Sequence, residues 1–140
     1  MPTEKEIKTF HKCLKEHNKK MLSPPNIIIL EQPKTLHLSL KQKPFEVMVT
    51  GEKRNEYRAP SKWILSRLFN KDGSRKEYKF IKFTNGYGSK RPYFIVKFEG
   101  FFKNPLPDNL HKYSNGLIIT VKKGDYIIPL GNIIERGNLQ

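Results

Sequence analysis

The sequence predicts an α+β fold, a small mixed β-barrel with short flanking helices and an N-terminal helical extension. Two observations lead to this prediction. Beyond residue 34 the chain contains short strand-like segments, of which 35–40 and 93–98 alternate as strands with one buried face do, and turns separate several of these segments. Residues 1–34 instead place apolar residues three and four apart. We therefore divide the 140 residues into a helical extension with its linker, 1–34, and one barrel domain, 35–140.

A single helix accounts for most of the extension. Thr3-Glu-Lys-Glu6 is a capping-box pattern, and Ser23 followed by two prolines ends the segment, which predicts a helix over about 4–21. Its apolar stripe consists of Ile7, Phe10, Leu14, His17 and Met21. A lone amphipathic helix usually docks on its own domain, and pairing with another chain is the alternative. Residues 26–30 are predicted to form a short strand or an extended linker.

The barrel domain begins with a strand and a short helix. Leucine at every second position predicts a half-buried strand over Thr35 to Leu40. A helix is predicted at 44–50, because apolar residues recur there at i, i+3 and i+4. Pro44 suits its first turn, and Gly51 suits a left-handed C-cap.

After Gly51 the period changes to two, which predicts a strand at 55–58. On this strand Glu56 and Arg58 share one face, so a carboxylate and a guanidinium stand side by side, with Lys53 just before them. We interpret the segment as part of a binding cleft. A solvated, charged edge strand is the alternative.

A second helix and a hairpin follow. A short helix is predicted at 63–69, with Trp63 in the core or covering the helix, and Asp72-Gly73 predicts the turn after it. The predicted apolar face of this helix consists of Ile64, Leu65, Leu68 and Phe69. Strands at 78–83 and 93–98 are expected to pair as a hairpin. The second of them is expected to bury one face, Phe94, Val96 and Phe98, and to turn Tyr93, Ile95 and Lys97 the other way.

The last third of the chain contains two predicted strands, 117–121 and 126–130, joined by a turn at 122–125. Pro129 cannot donate a ladder hydrogen bond, so we expect the last strand at an edge of the sheet or at a barrel opening. Segment 103–116 is predicted to be a mobile loop.

The net charge favours a polyanionic partner. The chain carries +14, of which +9 lies within residues 52–97, where thirteen Lys and Arg are set against four Asp and Glu. This block contains the predicted cleft, and such a charge attracts nucleic acid through long-range forces and counterion release. Solubility of a lysine-rich protein is the alternative. An acidic membrane surface fits less well, because no basic helix with a strong apolar face stands out.

Other classes of protein are poorly supported. The single Cys13 cannot form an internal disulfide, and four scattered histidines lack zinc-ligand spacing, so we expect no metal and no cofactor. No apolar run is long enough for a membrane span, and the N-terminus is too charged for a signal peptide. We therefore expect a cytoplasmic protein, with a monomer favoured.

The hairpin loop at 84–92 has a composition suited to a nucleotide. Asn85 and two glycines permit positive φ and expose backbone N–H groups beside Tyr87, Lys90 and Arg91. A tyrosine ring stacks on an unpaired base, while the basic side chains neutralise phosphate. A tight hairpin with Tyr87 packed back on the barrel is the alternative.

Several of these segments together resemble the ASCH domain, a PUA-like β-barrel family, in its small bacterial or phage type. They span about 36–131 in the family's order: His37-Leu-Ser-Leu40, the 44–51 helix, Gly51-Glu-Lys-Arg-Asn-Glu-Tyr-Arg58, Phe83-Thr-Asn-Gly-Tyr-Gly88 and Tyr126-Ile-Ile-Pro-Leu-Gly131. The resemblance implies a PUA-like barrel whose cleft binds RNA or nucleotides. For some members it implies an amidohydrolase activity on N4-acetylcytidine.

Two functions follow as expectations. The favoured one is a module that binds RNA, other single-stranded nucleic acid or a nucleoside in a basic cleft formed by Lys53, Arg54, Glu56, Arg58, Asn85, Tyr87, Lys90 and Arg91. The alternative is a nucleoside amidohydrolase with Lys53 and Glu56 as catalytic residues. The amidohydrolase members place a threonine three residues after the lysine, where this chain has Glu56, which offers a general base but no hydroxyl nucleophile.

Overall fold

The computed structural model describes residues 34–139. The predicted helix at 4–21 and the predicted strand or linker at 26–30 lie outside these residues. The described part is a mixed α+β fold with two short helices and a curled half-barrel sheet. Its strands are β1 (Thr35–Leu40), β2 (Asn55–Arg58), β3 (Phe80–Asn85), β4 (Tyr93–Phe98), β5 (Phe102–Lys103), β6 (Asn109–Lys112), β7 (Ile118–Val121) and β8 (Tyr126–Gly137), and its helices are α1 (Gln42–Val49) and α2 (Lys62–Leu68).

The long strand β8 holds the main sheet together. The strand order is β1-β3-β4-β8-β2, with β5 also on β8, and only the β1–β3 ladder is parallel. The first residues of β8 pair with β2 and β5, whereas its later residues pair with β4. The β4–β8 register shifts twice, between Ile95 and Val96 and between Val96 and Phe98. Such bulges bend and twist a strand, which accounts for the curl of the sheet.

The concave side of the sheet holds the main core. Both helices pack against it, α1 through Phe45 and Met48 and α2 through Ile64 and Leu68. The rings of Phe45 and Phe83 lie 5.3 and 5.1 Å from that of Phe94, between centroids. Each fully buried side chain of this size contributes about 1.5–3 kcal/mol to folding.

The elements expected in the first half of the barrel domain are confirmed within a residue or two. Strand β1 buries its three leucines, and α1 begins at Gln42, so Pro44 lies in its first turn. Gly51 follows the C-cap with φ +87°, in the left-handed region where glycine is favoured. The β3–β4 hairpin is antiparallel as predicted, although β3 begins at Phe80 instead of Tyr78.

The burial of α2 and β4 differs from the prediction. Trp63 and Leu65 are 46% and 39% exposed, because α2 contacts the sheet only through the narrow i, i+4 pair Ile64 and Leu68. With 46% of its surface exposed, Trp63 is not a core residue, and the guanidinium of Arg67 on the same helix lies 4.9 Å from the centre of its ring. The face of β4 expected to be outward also contains a buried residue: Ile95 joins a second cluster with Phe80 and Ile134. Alternation alone cannot show this, because a central strand has apolar neighbours on both faces.

The expected edge position of the last strand is wrong, since β8 is paired on both sides. Leu130 donates its N–H to Arg54 on the β2 side, so the nitrogen of Pro129 faces the opposite side. On that side β5 pairs only with Ile127 and Tyr126, and the β4 ladder begins at Leu130. Proline occupies the gap between two ladders, where no N–H is needed.

The prediction of a loop at 103–116 is also wrong. It contains β6, which pairs with β7 in a separate two-stranded sheet. Tyr113 and Leu117 close the connecting turn with a 2.9 Å backbone bond, and Gly116 has φ +84°. The dipeptide Asn115-Gly116 was the available signal, because Asn-Gly is typical of hairpin turns. The predicted turns at Asp72-Gly73 and at 122–125 are confirmed.

Replacing Gly131 by alanine should destabilise the fold by about 1–3 kcal/mol, because a Cβ there would lie 2.7 Å from the Lys97 carbonyl oxygen. Gly73→Asn is the matched control, since that site has open space and asparagine tolerates positive φ. Urea unfolding of both variants measures the difference. Equal stability of the two would show that close packing at Gly131 is unimportant.

Candidate functional site

A cavity of about 620 Å³ opens beside the N-terminal turn of α1. We call it the cleft. Five segments meet there: the end of β1, the start of α1, strand β2, the β3–β4 loop and strand β7. Its lining residues are Ser39, Leu40, Lys41, Gln42, Pro44, Glu56, Tyr57, Arg58, Asn85, Gly86, Tyr87 and Ile119. The volume suits a ligand of nucleoside size.

A chain of charges fixes the β2 wall of the cleft. Arg58 Nε donates to Glu56 Oε2 at 3.1 Å, and Arg58 Nη2 donates to the Ser39 carbonyl at 2.8 Å. Glu56 Oε1 accepts from the Tyr57 N–H at 3.0 Å and from Lys53 Nζ at 3.3 Å. Both carboxylate oxygens of Glu56 are therefore engaged, and their main effect is to orient the guanidinium of Arg58.

Lys53 is a buried cation, only 1% exposed. Besides Glu56, its ammonium group donates to the Asn55 carbonyl and lies 3.6 Å from the Met48 sulfur and 5.0 Å from the centre of the Tyr57 ring. Burial lowers the pKa of Lys53, while the negative charge of Glu56 opposes this shift.

The β3–β4 loop presents an exposed aromatic ring. Tyr87 is 89% exposed, so it does not pack back on the barrel. The loop itself is fastened, because Gly86 donates its N–H to the Leu40 carbonyl at 2.9 Å and Arg91 Nε donates to the Asn85 carbonyl at 2.7 Å. Gly86 has φ +81°, and the side chain of Arg91 lies where a Cβ on that glycine would point. A fixed loop thus carries an uncovered ring.

The β6–β7 hairpin forms a further side of the cleft that the sequence did not reveal. Ile119 lines the cavity, and the His111 ring lies 5.6 Å from that of Tyr57, between centroids. At the hairpin turn Ser114 donates its N–H to Glu52 at 2.8 Å. Burial, followed by the nearby Tyr57 and the carboxylates of the site, raises the pKa of Tyr113 to about 12.

The structure divides the eight residues predicted as a site. Glu56, Arg58, Asn85 and Tyr87 line the cleft. Lys53 and Arg54 line a different cavity at the other end of α1. Lys90 and Arg91 are exposed and line neither of these two cavities. The sequence analysis did not include Lys41 and Gln42, which also line the cleft. The available signal was their position between a predicted strand and a predicted helix, which places them at an end of the sheet.

Comparisons with protein-family models, curated proteins and solved structures give no match for this chain. Within residues 34–139 no helix is long and apolar enough to cross a membrane. In the same residues no group of three His, Cys, Asp or Glu side chains is placed to hold a metal ion. The function must therefore be argued from the cleft itself.

Glu56→Gln should destabilise the protein by about 3 kcal/mol, because it leaves the buried Lys53 and its neighbour Arg58 without a counter-charge. Lys53→Met should cost much less, since Glu56 keeps its 3.0 Å ion pair with Arg58 and the new side chain is apolar. Denaturant unfolding of both variants checks the order. A larger loss of unfolding free energy in Lys53→Met than in Glu56→Gln would contradict our view that Glu56 is the more important member of the pair.

The lowered pKa of Lys53 makes stability depend on pH in the alkaline range. The unfolded chain binds the Lys53 proton more tightly than the folded chain does. The free energy of unfolding should therefore rise with pH, up to the ordinary lysine pKa of about 10.4. The rise should be smaller in Lys53→Met. Unfolding free energies of both proteins at pH 7 to 10 measure the difference. Parallel curves would mean that Lys53 does not titrate differently on folding.

Proposed function

We propose that this chain is an ASCH-type, PUA-like domain that binds single-stranded RNA or a closely related nucleic acid in the cleft. One observation carries the proposal. Three segments that resemble ASCH motifs, ending at Leu40, Arg58 and Gly88, are far apart in sequence and line one cavity. They meet because β1 and β3 are parallel neighbours and α1 brings the chain back beside them.

The exposed ring of Tyr87 supports recognition of an unpaired base. An aromatic side chain held at the mouth of a cavity offers a stacking surface that any base can use. Asn85 and Arg58 line the same cavity, so an amide and a guanidinium are available to a base stacked there. Because Arg58 is held by Glu56 and Ser39, little side-chain entropy would be lost on binding.

Charge supports a polyanionic ligand. The cleft lining includes the cations Lys41 and Arg58 and one carboxylate, Glu56. Arg58 and Glu56 belong to the segment 52–97, whose net charge is +9. The exposed Lys90 and Arg91 follow Tyr87 in the same loop, where the backbone of a stacked strand would pass.

Tyr87→Ala should weaken binding of single-stranded RNA by about 1–3 kcal/mol, because it removes the stacking surface. Trp63→Ala is the matched control, since Trp63 is a half-exposed aromatic ring on α2, outside the cleft lining. Fluorescence anisotropy with a labelled oligonucleotide at 50 and 200 mM salt gives both affinities. Wild-type affinity should fall steeply with salt.

Two results would contradict the proposal. One is no binding by the wild type at the lower salt. The other is an equal loss in the Tyr87 and Trp63 variants, which would indicate attraction to the surface charge without a specific cleft.

A nucleoside amidohydrolase remains the second proposal, and a buried lysine with a lowered pKa next to a cleft carboxylate is the observation that favours it. It ranks second because both oxygens of Glu56 already accept hydrogen bonds. Lys53 also lines the other cavity and not the cleft.

Incubation with N4-acetylcytidine separates these two functions. We expect no release of acetate from the wild type. Release that is abolished by Glu56→Gln, with the variant shown to be folded by circular dichroism, would make the enzyme the better assignment.

A further inference from the structure

A second cavity, of about 340 Å³, lies at the C-terminal end of α1. We call it the rear cavity. It shares no lining residue with the cleft: its walls are Met48, Thr50, Gly51, Lys53, Arg54, Leu130, Gly131, Asn132, Ile133 and Arg136. Its volume is near the lower limit for small-molecule sites.

The charge of the rear cavity has one sign. Three cationic side chains line it, Lys53, Arg54 and Arg136, and no carboxylate does. The charge of Lys53 is offset by Glu56, which leaves the two arginines. The two arginines make the rear cavity a candidate site for an anion, because Arg136 offsets the partial negative charge at this end of α1.

Arg136 is fixed in position. Its Nε and Nη2 both donate to the Val49 carbonyl, at 3.1 and 3.0 Å, and this uses two of the five N–H donors of a guanidinium. Three donors remain beyond those two. Arg54 is exposed, precedes β2 and also lines the cavity. Two guanidinium groups that line one small cavity are suited to an oxyanion.

Backbone geometry completes the site. Gly131 packs so closely on Lys97 and on the carboxylate of Glu99 that no side chain fits there, and Glu99 itself is not among the residues that line the cavity. The next residue, Asn132, is exposed at the cavity and carries an amide donor. The Thr50 hydroxyl already donates to the Val47 carbonyl at 3.2 Å, and the buried Met48 contributes an apolar surface. A neutral donor beside arginines, such as the Asn132 amide, is typical of phosphate contacts.

We propose that the rear cavity binds a phosphate monoester group. The shared chemistry is a compact dianion with three terminal oxygens, present in inorganic phosphate, in a nucleoside monophosphate and at the phosphorylated 5′ end of a nucleic-acid strand. This site is independent of the cleft. If the cleft binds no RNA, the rear cavity still binds phosphate, and failure of the rear cavity leaves the cleft proposal intact.

A structural role for Arg136 alone is the competing explanation, since a cation next to the last carbonyls of a helix stabilises that helix. That role involves neither Arg54 nor Asn132. Substitutions at these two exposed positions therefore test binding without disturbing the end of α1.

The experiment is titration of the full chain with inorganic phosphate and with uridine 5′-monophosphate, by calorimetry, at pH 7 and constant ionic strength. We expect saturable binding that Arg54→Ala weakens about 10-fold and Asn132→Ala weakens less. Arg67→Ala is the matched control, because it removes an arginine from α2 and should leave the affinity unchanged. If uridine 5′-monophosphate binds more tightly than inorganic phosphate, we infer that its nucleoside part contacts the apolar surface of the rear cavity.

Three results would overturn the proposal. They are no saturable binding of either anion, equal weakening by Arg54→Ala and Arg67→Ala, or loss of phosphate binding in Tyr87→Ala, which would move the anion to the cleft. Equal affinity for both anions supports the site and identifies phosphate itself as the recognised group. An oligonucleotide with a 5′ phosphate, compared with one that ends in a hydroxyl, then tests whether a strand end is the source.

Discussion

The buried ammonium group of Lys53 constrains the region around α1 and β2. A buried cation is tolerated only when its donors are satisfied, and its partners come from the Met48 sulfur on α1 and from Asn55 and Glu56 on β2. The end of the helix and the start of the strand must therefore stay in register with each other. Glu56 also accepts a hydrogen bond from Arg58, and Arg58 donates another to the Ser39 carbonyl at the end of β1. A single buried charge thus links three elements of the cleft wall.

The half-barrel supplies the rigid frame for that wall. β8 pairs with β4 through one part of its length and with β2 and β5 through another, so one strand connects these three neighbours in the sheet. The two cavities lie at opposite ends of α1, which packs on the concave face through Phe45 and Met48. Their separation is set by the eight-residue length of that helix, roughly 12 Å at 1.5 Å per residue.

Local signals in the sequence predicted single helices and strands better than they predicted how those elements pair and pack. The Leu36-x-Leu38-x-Leu40 alternation and the Gly51 cap are properties of a few adjacent residues, and both are confirmed. The position of β8 was mispredicted because an edge strand and a gap between two ladders both remove the need for the Pro129 N–H. The predicted site residues were split between two cavities for a similar reason. Lys53 and Glu56 are three residues apart, yet they line different cavities. Which cavity each one lines depends on how α1 packs, and that is a long-range property of the fold.

The β6–β7 hairpin differs from every other wall of the cleft in how it is held. It pairs with no strand of the main sheet, and its tip is fastened by exposed polar bonds, from Ser114 to Glu52 and from Asn115 to Glu46. Two-stranded sheets are marginal alone, and exposed hydrogen bonds open at little cost. The amide protons of β6 and β7 should exchange with solvent faster than those of β4 and β8. Local opening of this hairpin would widen the cleft on the side of Ile119 without breaking a ladder of the main sheet.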